Sequence, residues 1–175
     1  MVFLTSSVHL QFMLLLSEAI LVFSPQSSLL GKAPRSQKTK VHWITMLVAL
    51  VCGAAGDFAI WYNKELSNKP HLVTWHGQVG AITMGYVAVQ CVAGSAQLYP
   101  QIVMKYVKLA QLKIMHATSG LCLLLLATAS LVLGMYTNFF VSQVTGTSWY
   151  ACMMCPLMLL LIITNQIKSN YLAQK

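Results

Sequence analysis

Hydrophobic residues are concentrated in five long segments, separated by short stretches that hold most of the charged residues. A helix needs about 20 residues to cross a hydrocarbon core of ~30 Å, and each segment meets or approaches that length. The segments are continuously apolar rather than alternating with a period of two, which favours helices over barrel strands. The pattern therefore predicts five transmembrane helices, at residues 7–23, 42–62, 75–98, 114–136 and 145–167.

Composition supports a membrane environment. Hydrophobic residues make up 57% of the chain, whereas only 11 Lys or Arg and 3 Asp or Glu occur among 175 residues. The predicted loops are short and no internal repeat stands out, so nothing suggests a separate soluble module. We expect residues 1–175 to form one all-α domain, a polytopic helix bundle embedded in the lipid bilayer.

The net charge of +8 raises the question of nucleic-acid binding. The basic residues do not form one amphipathic face, so we expect no nucleic-acid partner. Instead, nine of the eleven Lys and Arg residues lie in the two loops at 24–41 and 99–113 and in the C-terminal tail. Because cytoplasmic loops carry an excess of Lys and Arg, this distribution places those loops and the C-terminus in the cytoplasm.

Three of the five histidines fall in the predicted first turn of a spanning helix: His42, His76 and His116. The helices at His42 and His116 both enter from the cytoplasmic side, so the two imidazoles are expected at similar depth, whereas His76 enters from the opposite side. Ionisable or ligating residues are costly inside a membrane and are functional candidates. The alternative is that each histidine is an amphipathic residue of the interface, as Trp and Tyr are.

Haem ligation is the chemistry that these histidines favour. Neutral imidazole is a common axial ligand of haem iron, and two such ligands on facing helices make a closed electron-transfer site. Small residues that share the histidine faces, such as Gly53 and Gly56, would leave room for the haem, or they form a packing seam between helices. Zinc or copper is less favoured, because no third or fourth ligand accompanies His42 and His116.

The histidine segments resemble the haem-ligand motifs of the cytochrome b561 family, especially its animal cytochrome b561 domain-containing members. The matching segments are KVHW at 40–43, HLVTWHGQ at 71–78, HATSG at 116–120 and SEAILVFSP at 17–25. The resemblance implies a family of six helices and two b haems. It also implies electron transfer from cytoplasmic ascorbate to monodehydroascorbate or ferric iron across the membrane.

By this resemblance, His42 and His116 bind the cytoplasmic haem and His76 binds the other. The family's partner for His76 falls at Leu4 here, while His9 would lie ~7.5 Å deeper and about 140° around the helix, so we do not expect it to substitute. The first of the family's six helices has no counterpart, so the chain is expected to be N-terminally truncated. The second haem site is therefore expected to lack its partner ligand.

Ascorbate is an anion, so its donor site should be basic. Lysines near the cytoplasmic entries of the second and fourth predicted helices are the candidates, namely Lys38, Lys40 and Lys105. Lys40 matches a basic position of the family and is the leading single candidate. The alternative is that these lysines only set the topology or meet anionic lipid headgroups.

The resemblance therefore predicts a transmembrane reductase of the ascorbate-dependent ferrireductase or monodehydroascorbate reductase type. It places the chain in endoplasmic reticulum or vesicle membranes and allows a homodimer. The alternative is a truncated, non-catalytic or partly functional isoform that acts as a membrane assembly partner, which the missing ligand favours. A small transporter is disfavoured, because paired broken helices and an inverted repeat are not found in the sequence.

Overall fold

The computed structural model describes residues 2–24, 27–99, 101 and 105–169, with side chains described from Leu10 onward. All regular secondary structure in this part of the chain is helical. The α-helices are α1 (Val2–Leu21), α2 (Arg35–Leu66), α3 (Trp75–Ser95), α4 (Leu109–Gly134), a short α5 (Asn138–Gln143) and α6 (Thr147–Ile167). A 3₁₀ turn, Ala96–Leu98, follows α3. The predicted all-α fold class is confirmed.

Four of the described helices, α2, α3, α4 and α6, are long and apolar enough to cross a membrane. They correspond to four of the five predicted spans. The fifth prediction, at residues 7–23, falls on α1, where the described side chains form the apolar stretch Leu10–Leu21. Large apolar side chains point outward along these helices, and Val51, Val89 and Leu161 are each more than 60% exposed. Such exposure suits a surface that faces lipid.

The predicted starts of two helices are wrong. Residue His42 is the eighth residue of α2, and His116 is the eighth residue of α4, rather than members of the first turn. The polar residues before each apolar run continue the helical backbone, because most of them are compatible with a helix and can extend it beyond the hydrocarbon region. His76 does lie in the first turn of α3, which begins at Trp75. The hydroxyl of Thr74 caps this helix by accepting from Gly77 N at 3.2 Å.

The described chain forms two compact units, and the first ends at His71. In it α1 packs on α2. The buried face of α2 is made of the small residues Ala49, Gly53 and Gly56, and α1 contributes larger buried side chains, among them Phe12, Met13 and Leu16. Small residues let two helices approach closely in a membrane. The packing-seam interpretation of Gly53 and Gly56 therefore accounts for both glycines in this unit.

The second unit begins at Leu72 and contains α3, α4 and α6. Helices α3 and α4 run antiparallel, and α6 packs against α4. The buried face of α3 carries Thr83, Val87 and Gln90, and that of α4 carries Leu123, Leu124, Ala127, Thr128 and Ser130. The expectation of a single domain over residues 1–175 stays a prediction.

Candidate functional site

His42 is held by the end of the neighbouring helix in the first unit. Its Nδ1 lies 2.7 Å from the carbonyl oxygen of Ala19, and its ring centroid lies 5.3 Å from that of Phe23. Ala19 belongs to the last turn of α1, where carbonyl groups have no partner within the helix. Because a carbonyl only accepts, Nδ1 carries the proton. A neutral imidazole protonated at Nδ1 has its lone pair on Nε2, and this is the nitrogen with which such a ring binds a metal.

His76 is held in the same way in the second unit. Its Nδ1 lies 2.8 Å from the carbonyl oxygen of Ser130 on α4, so this nitrogen is again the donor. One turn further along α4, Gly134 leaves room for the ring, since a Cβ at that position would lie 3.0 Å from Cε1 of His76. The half-buried ring therefore lies close against α4 at Gly134, and the Ser130 carbonyl fixes its tautomer.

His116 meets a glycine at the other end of the same helix pair. A Cβ on Gly94 of α3 would lie 2.9 Å from Cε1 of His116, and 3.5 Å from its Nε2. Real Cβ atoms do not approach other atoms so closely, so a side chain at residue 94 would force the imidazole or the helices to move. The ring is half-buried.

The contacts of α3 and α4 are reciprocal. His76 and Gly94 are eighteen residues apart on α3, and His116 and Gly134 are eighteen residues apart on α4. Each histidine lies against the glycine of the other helix. Eighteen residues of α-helix rise ~27 Å, which is close to the ~30 Å thickness of the hydrocarbon core. The pair therefore holds its two imidazoles at opposite ends, separated by about the thickness of a membrane.

A polar cluster joins α3 and α4 between these two ends. The Ser119 hydroxyl lies 2.7 Å from the Tyr86 hydroxyl and accepts a hydrogen bond of 2.7 Å from the Gln90 amide. Gln90 is only 5% exposed. Buried polar groups require partners, so Ser119 fixes the register in which the two helices meet.

Helix geometry separates the lysine candidates. Lys38 precedes His42 by four residues, which places it ~6 Å earlier on α2 and only about 40° around the axis. Lys40 precedes His42 by two residues and lies about 200° around the axis, on the opposite side of α2. Lys38 is half-buried, whereas Lys40 is exposed. Lys105, also exposed, lies in the turn before α4 in the second unit.

His71 makes local contacts with residues at the end of α2. Its ring stacks on Trp61 with centroids 3.8 Å apart, and its Nε2 lies 2.9 Å from Glu65 Oε1. Nearby, Lys64 Nζ donates to the carbonyl of Pro70 at 3.0 Å. These contacts close the turn that follows α2, so the surroundings of His71 differ from those of His42, His76 and His116.

Sequence reasoning missed the groups that hold the histidine rings. Ala19 and Ser130 act through backbone carbonyls, which every residue has, so their side chains gave no signal. Gly94 and Gly134 did leave a signal, because the same eighteen-residue interval separates each from a histidine. The comparison of Leu4 with His9 as a ligand falls on side chains outside the described part of the chain.

The histidines fit b haem. Two of them have Nδ1 bonded to a backbone carbonyl, as metal-ligating histidines usually do, and this directs the Nε2 lone pair to the ligand position. All three are half-buried on apolar helices. Histidine is a common axial ligand of haem iron, and helix bundles build cofactor sites from side chains on facing helices.

Comparisons with known proteins identify the family. The model of the eukaryotic cytochrome b561 family matches residues 6–141. Human "Transmembrane reductase CYB561D2" is 43% identical over 166 residues, covering 95% of this chain and 74% of the relative. Human "Probable transmembrane reductase CYB561D1" is 39% identical over 166 residues, with 95% and 72% covered. No solved structure matches the chain.

The chain belongs to the eukaryotic cytochrome b561 family. It is a multi-pass membrane oxidoreductase of electron transport, in a family that binds haem b.

Proposed function

We propose that this chain is a transmembrane reductase that takes electrons one at a time from cytoplasmic ascorbate and delivers them to monodehydroascorbate or ferric iron on the opposite side. The observation that carries the proposal is the position of His76 and His116 at opposite ends of the α3–α4 pair. A carrier that connects two aqueous phases needs a redox site near each membrane face, and ~27 Å along the helices supplies that separation.

In this proposal His42 and His116 hold the cytoplasmic haem and His76 holds the second. When bound, b haem supplies a reversible one-electron change at its iron. The chain's own groups orient the ligands: Ala19 accepts from Nδ1 of His42, and Ser130 accepts from Nδ1 of His76. These hydrogen bonds raise the basicity of the ligating nitrogen and keep each ring in one orientation.

The ascorbate site lies on the cytoplasmic side in this proposal. Lysine side chains attract the ascorbate anion and hold it near His42. Lys38 is the strongest candidate, because it shares the face of α2 that carries His42 and is half-buried, and Lys40 and Lys105 add positive charge from exposed positions. Ascorbate gives up one electron, releases one proton to the cytoplasmic water and becomes monodehydroascorbate, and ferric iron on the far side gains the electron and becomes ferrous.

We also propose that the membrane is that of the endoplasmic reticulum or of vesicles, with the C-terminus in the cytoplasm. The second candidate function is that of a non-catalytic assembly partner. It is favoured by Leu4, which stands where the family places the second ligand of the His76 haem. In that case the chain would bind at most the haem of His42 and His116.

Absorption spectroscopy tests the proposed function. The protein is expressed in a host supplied with haem, purified in mild detergent, and examined oxidised, reduced with ascorbate and reduced with dithionite. We expect a Soret band and an ascorbate-reducible b-type α band. His71→Ala serves as the control, because His71 is engaged with Trp61 and Glu65. A purified protein without a Soret band would exclude the reductase and leave the assembly partner.

A further inference from the structure

Two glycines lie so close to the candidate haem ligands that a side chain at either position would collide with an imidazole ring. The Cβ of an alanine at Gly94 would lie 2.9 Å from Cε1 of His116, and one at Gly134 would lie 3.0 Å from Cε1 and 3.1 Å from Nδ1 of His76. Gly85, on the same helix as Gly94, has no such neighbour within 4 Å. The close approach is therefore a property of particular glycines.

We propose that Gly94 and Gly134 are positioning residues that set the planes of the His116 and His76 imidazoles for haem ligation. This inference rests on the proposed function. The glycines have no side chain, so each ring can lie flat against the backbone of the neighbouring helix. A methyl group at either position would collide with the imidazole ring, which is the end of a rotatable histidine side chain. We therefore expect the ring to rotate and the helix to stay in place.

Ser130 makes the constraint stronger for His76. Its carbonyl oxygen lies 2.8 Å from Nδ1 of His76, and it stands one helical turn before Gly134. Ring rotation away from a methyl group at residue 134 would lengthen this hydrogen bond. The bond and the glycine thus fix two features of one ligand, the direction of its Nε2 lone pair and the plane of its ring.

The plane of an axial imidazole has spectroscopic consequences. Axial ligation and the hydrogen bonds of the ligand tune the potential of haem iron. The electron paramagnetic resonance (EPR) g values of ferric haem depend on how the planes of its axial ligands are oriented. A packing role alone would change stability but would leave these signals at their original positions.

The test compares Gly94→Ala, Gly134→Ala and Gly85→Ala with the wild type, each purified with haem. Alanine is the better helix former, so the substitutions do not weaken the helices themselves. We expect Gly94→Ala to shift the EPR g values and the midpoint potential of the haem bound by His116, with the other signal unchanged. Gly134→Ala should shift only the signal of the haem bound by His76. Gly85→Ala should match the wild type.

A second set of variants covers the case in which Gly94→Ala does not accumulate. In His116→Gly the side chain is removed, and added imidazole can take the ligand position without a tether. Such an imidazole can move away from a methyl group at residue 94. His116→Gly with and without Gly94→Ala should therefore give the same spectrum when imidazole is present.

The outcomes separate this inference from the proposed function. A wild-type protein that binds no haem overturns the proposed function and the inference with it. A wild-type protein that binds haem, together with Gly94→Ala and Gly134→Ala spectra identical to that of Gly85→Ala, overturns the inference alone. With imidazole added, the spectra of His116→Gly with and without Gly94→Ala are compared. A shift between these two spectra also overturns the inference, because the methyl group would then act on something other than the His116 side chain.

Discussion

His76 and His116 lie at opposite ends of one antiparallel helix pair, because each ring rests against a glycine that is eighteen residues from the other histidine. The relationship comes from the register of α3 and α4. The same register brings Ser119 to Gln90 about one turn from the His116 end, and Ser130 to His76 at the opposite end. A single helix pair thus sets the depth of two candidate redox sites.

Removal of a candidate ligand should remove haem. We expect His116→Ala and His42→Ala each to lower the haem content by about one per chain, because a b haem depends on its axial imidazoles. His76→Ala should leave that cytoplasmic haem in place. Haem content is measured against polypeptide by pyridine haemochrome assay. His71→Ala is the control, and equal haem loss in His71→Ala and His116→Ala would contradict the assignment.

Lys38 should matter more than Lys40 for ascorbate. A unit charge ~4 Å from an anion in water contributes about 1 kcal/mol, which corresponds to about fivefold in affinity. We expect Lys38→Ala to raise the ascorbate concentration for half-maximal haem reduction about fivefold at low salt, and less at high salt. Lys40→Ala, on the opposite side of α2, should have a smaller effect. The reverse order would show that Lys40 forms the donor site.

The Ser119 cluster should stabilise the α3–α4 pair. Ser119→Ala removes the hydroxyl that accepts from the buried Gln90 amide, and we expect a loss of about 1 kcal/mol in the free energy of unfolding. Reversible unfolding in mixed detergent micelles measures the change. Ser142→Ala is the matched control, because that exposed hydroxyl makes only local contacts in the described part of the chain: it donates to the carbonyl of Phe139 and accepts from the Gln143 amide at 3.4 Å. If the two variants were equally stable, the cluster would not hold the helices.

A large side chain in the contact between α1 and α2 should destabilise the protein. Ala49 is fully buried, so Ala49→Leu should overpack the contact and lower the free energy of unfolding by about 1–3 kcal/mol. Val51→Leu, two residues along the same helix and 61% exposed, should be close to neutral. Thermal unfolding in detergent compares the two variants. A neutral Ala49→Leu would mean that α1 and α2 do not pack as described.

Hydrophobic runs predicted the fold class well, because apolar length is the dominant constraint on a membrane helix. They located the N-terminal ends of α2 and α4 poorly. The helical backbone continues through Arg35 and Leu109, where hydropathy has already fallen, so His42 and His116 are eight residues into their helices. Hydropathy reports the hydrocarbon boundary, whereas hydrogen bonding and capping decide where a helix begins.

The candidate site was predictable only in part. His42, His76 and His116 were identifiable because imidazole is rare and chemically distinctive in apolar segments. The carbonyls of Ala19 and Ser130 were not, since a backbone acceptor has no sequence signature. The sequence favoured Lys40 through its match to the family, with the helix expected to begin at His42. Because α2 begins at Arg35, helix spacing instead gives Lys38 the same face as His42.

Electron transfer across a sealed membrane tests the central claim most directly. Proteoliposomes are loaded with ascorbate, and the reduction of a membrane-impermeant ferric chelate outside is followed for the wild type, His76→Ala, His116→Ala and His71→Ala. We predict rapid reduction by the wild type and His71→Ala, and loss of transfer in His76→Ala and in His116→Ala. Wild-type vesicles that reduce the chelate no faster than protein-free vesicles, or a His76→Ala variant as fast as wild type, would contradict the account.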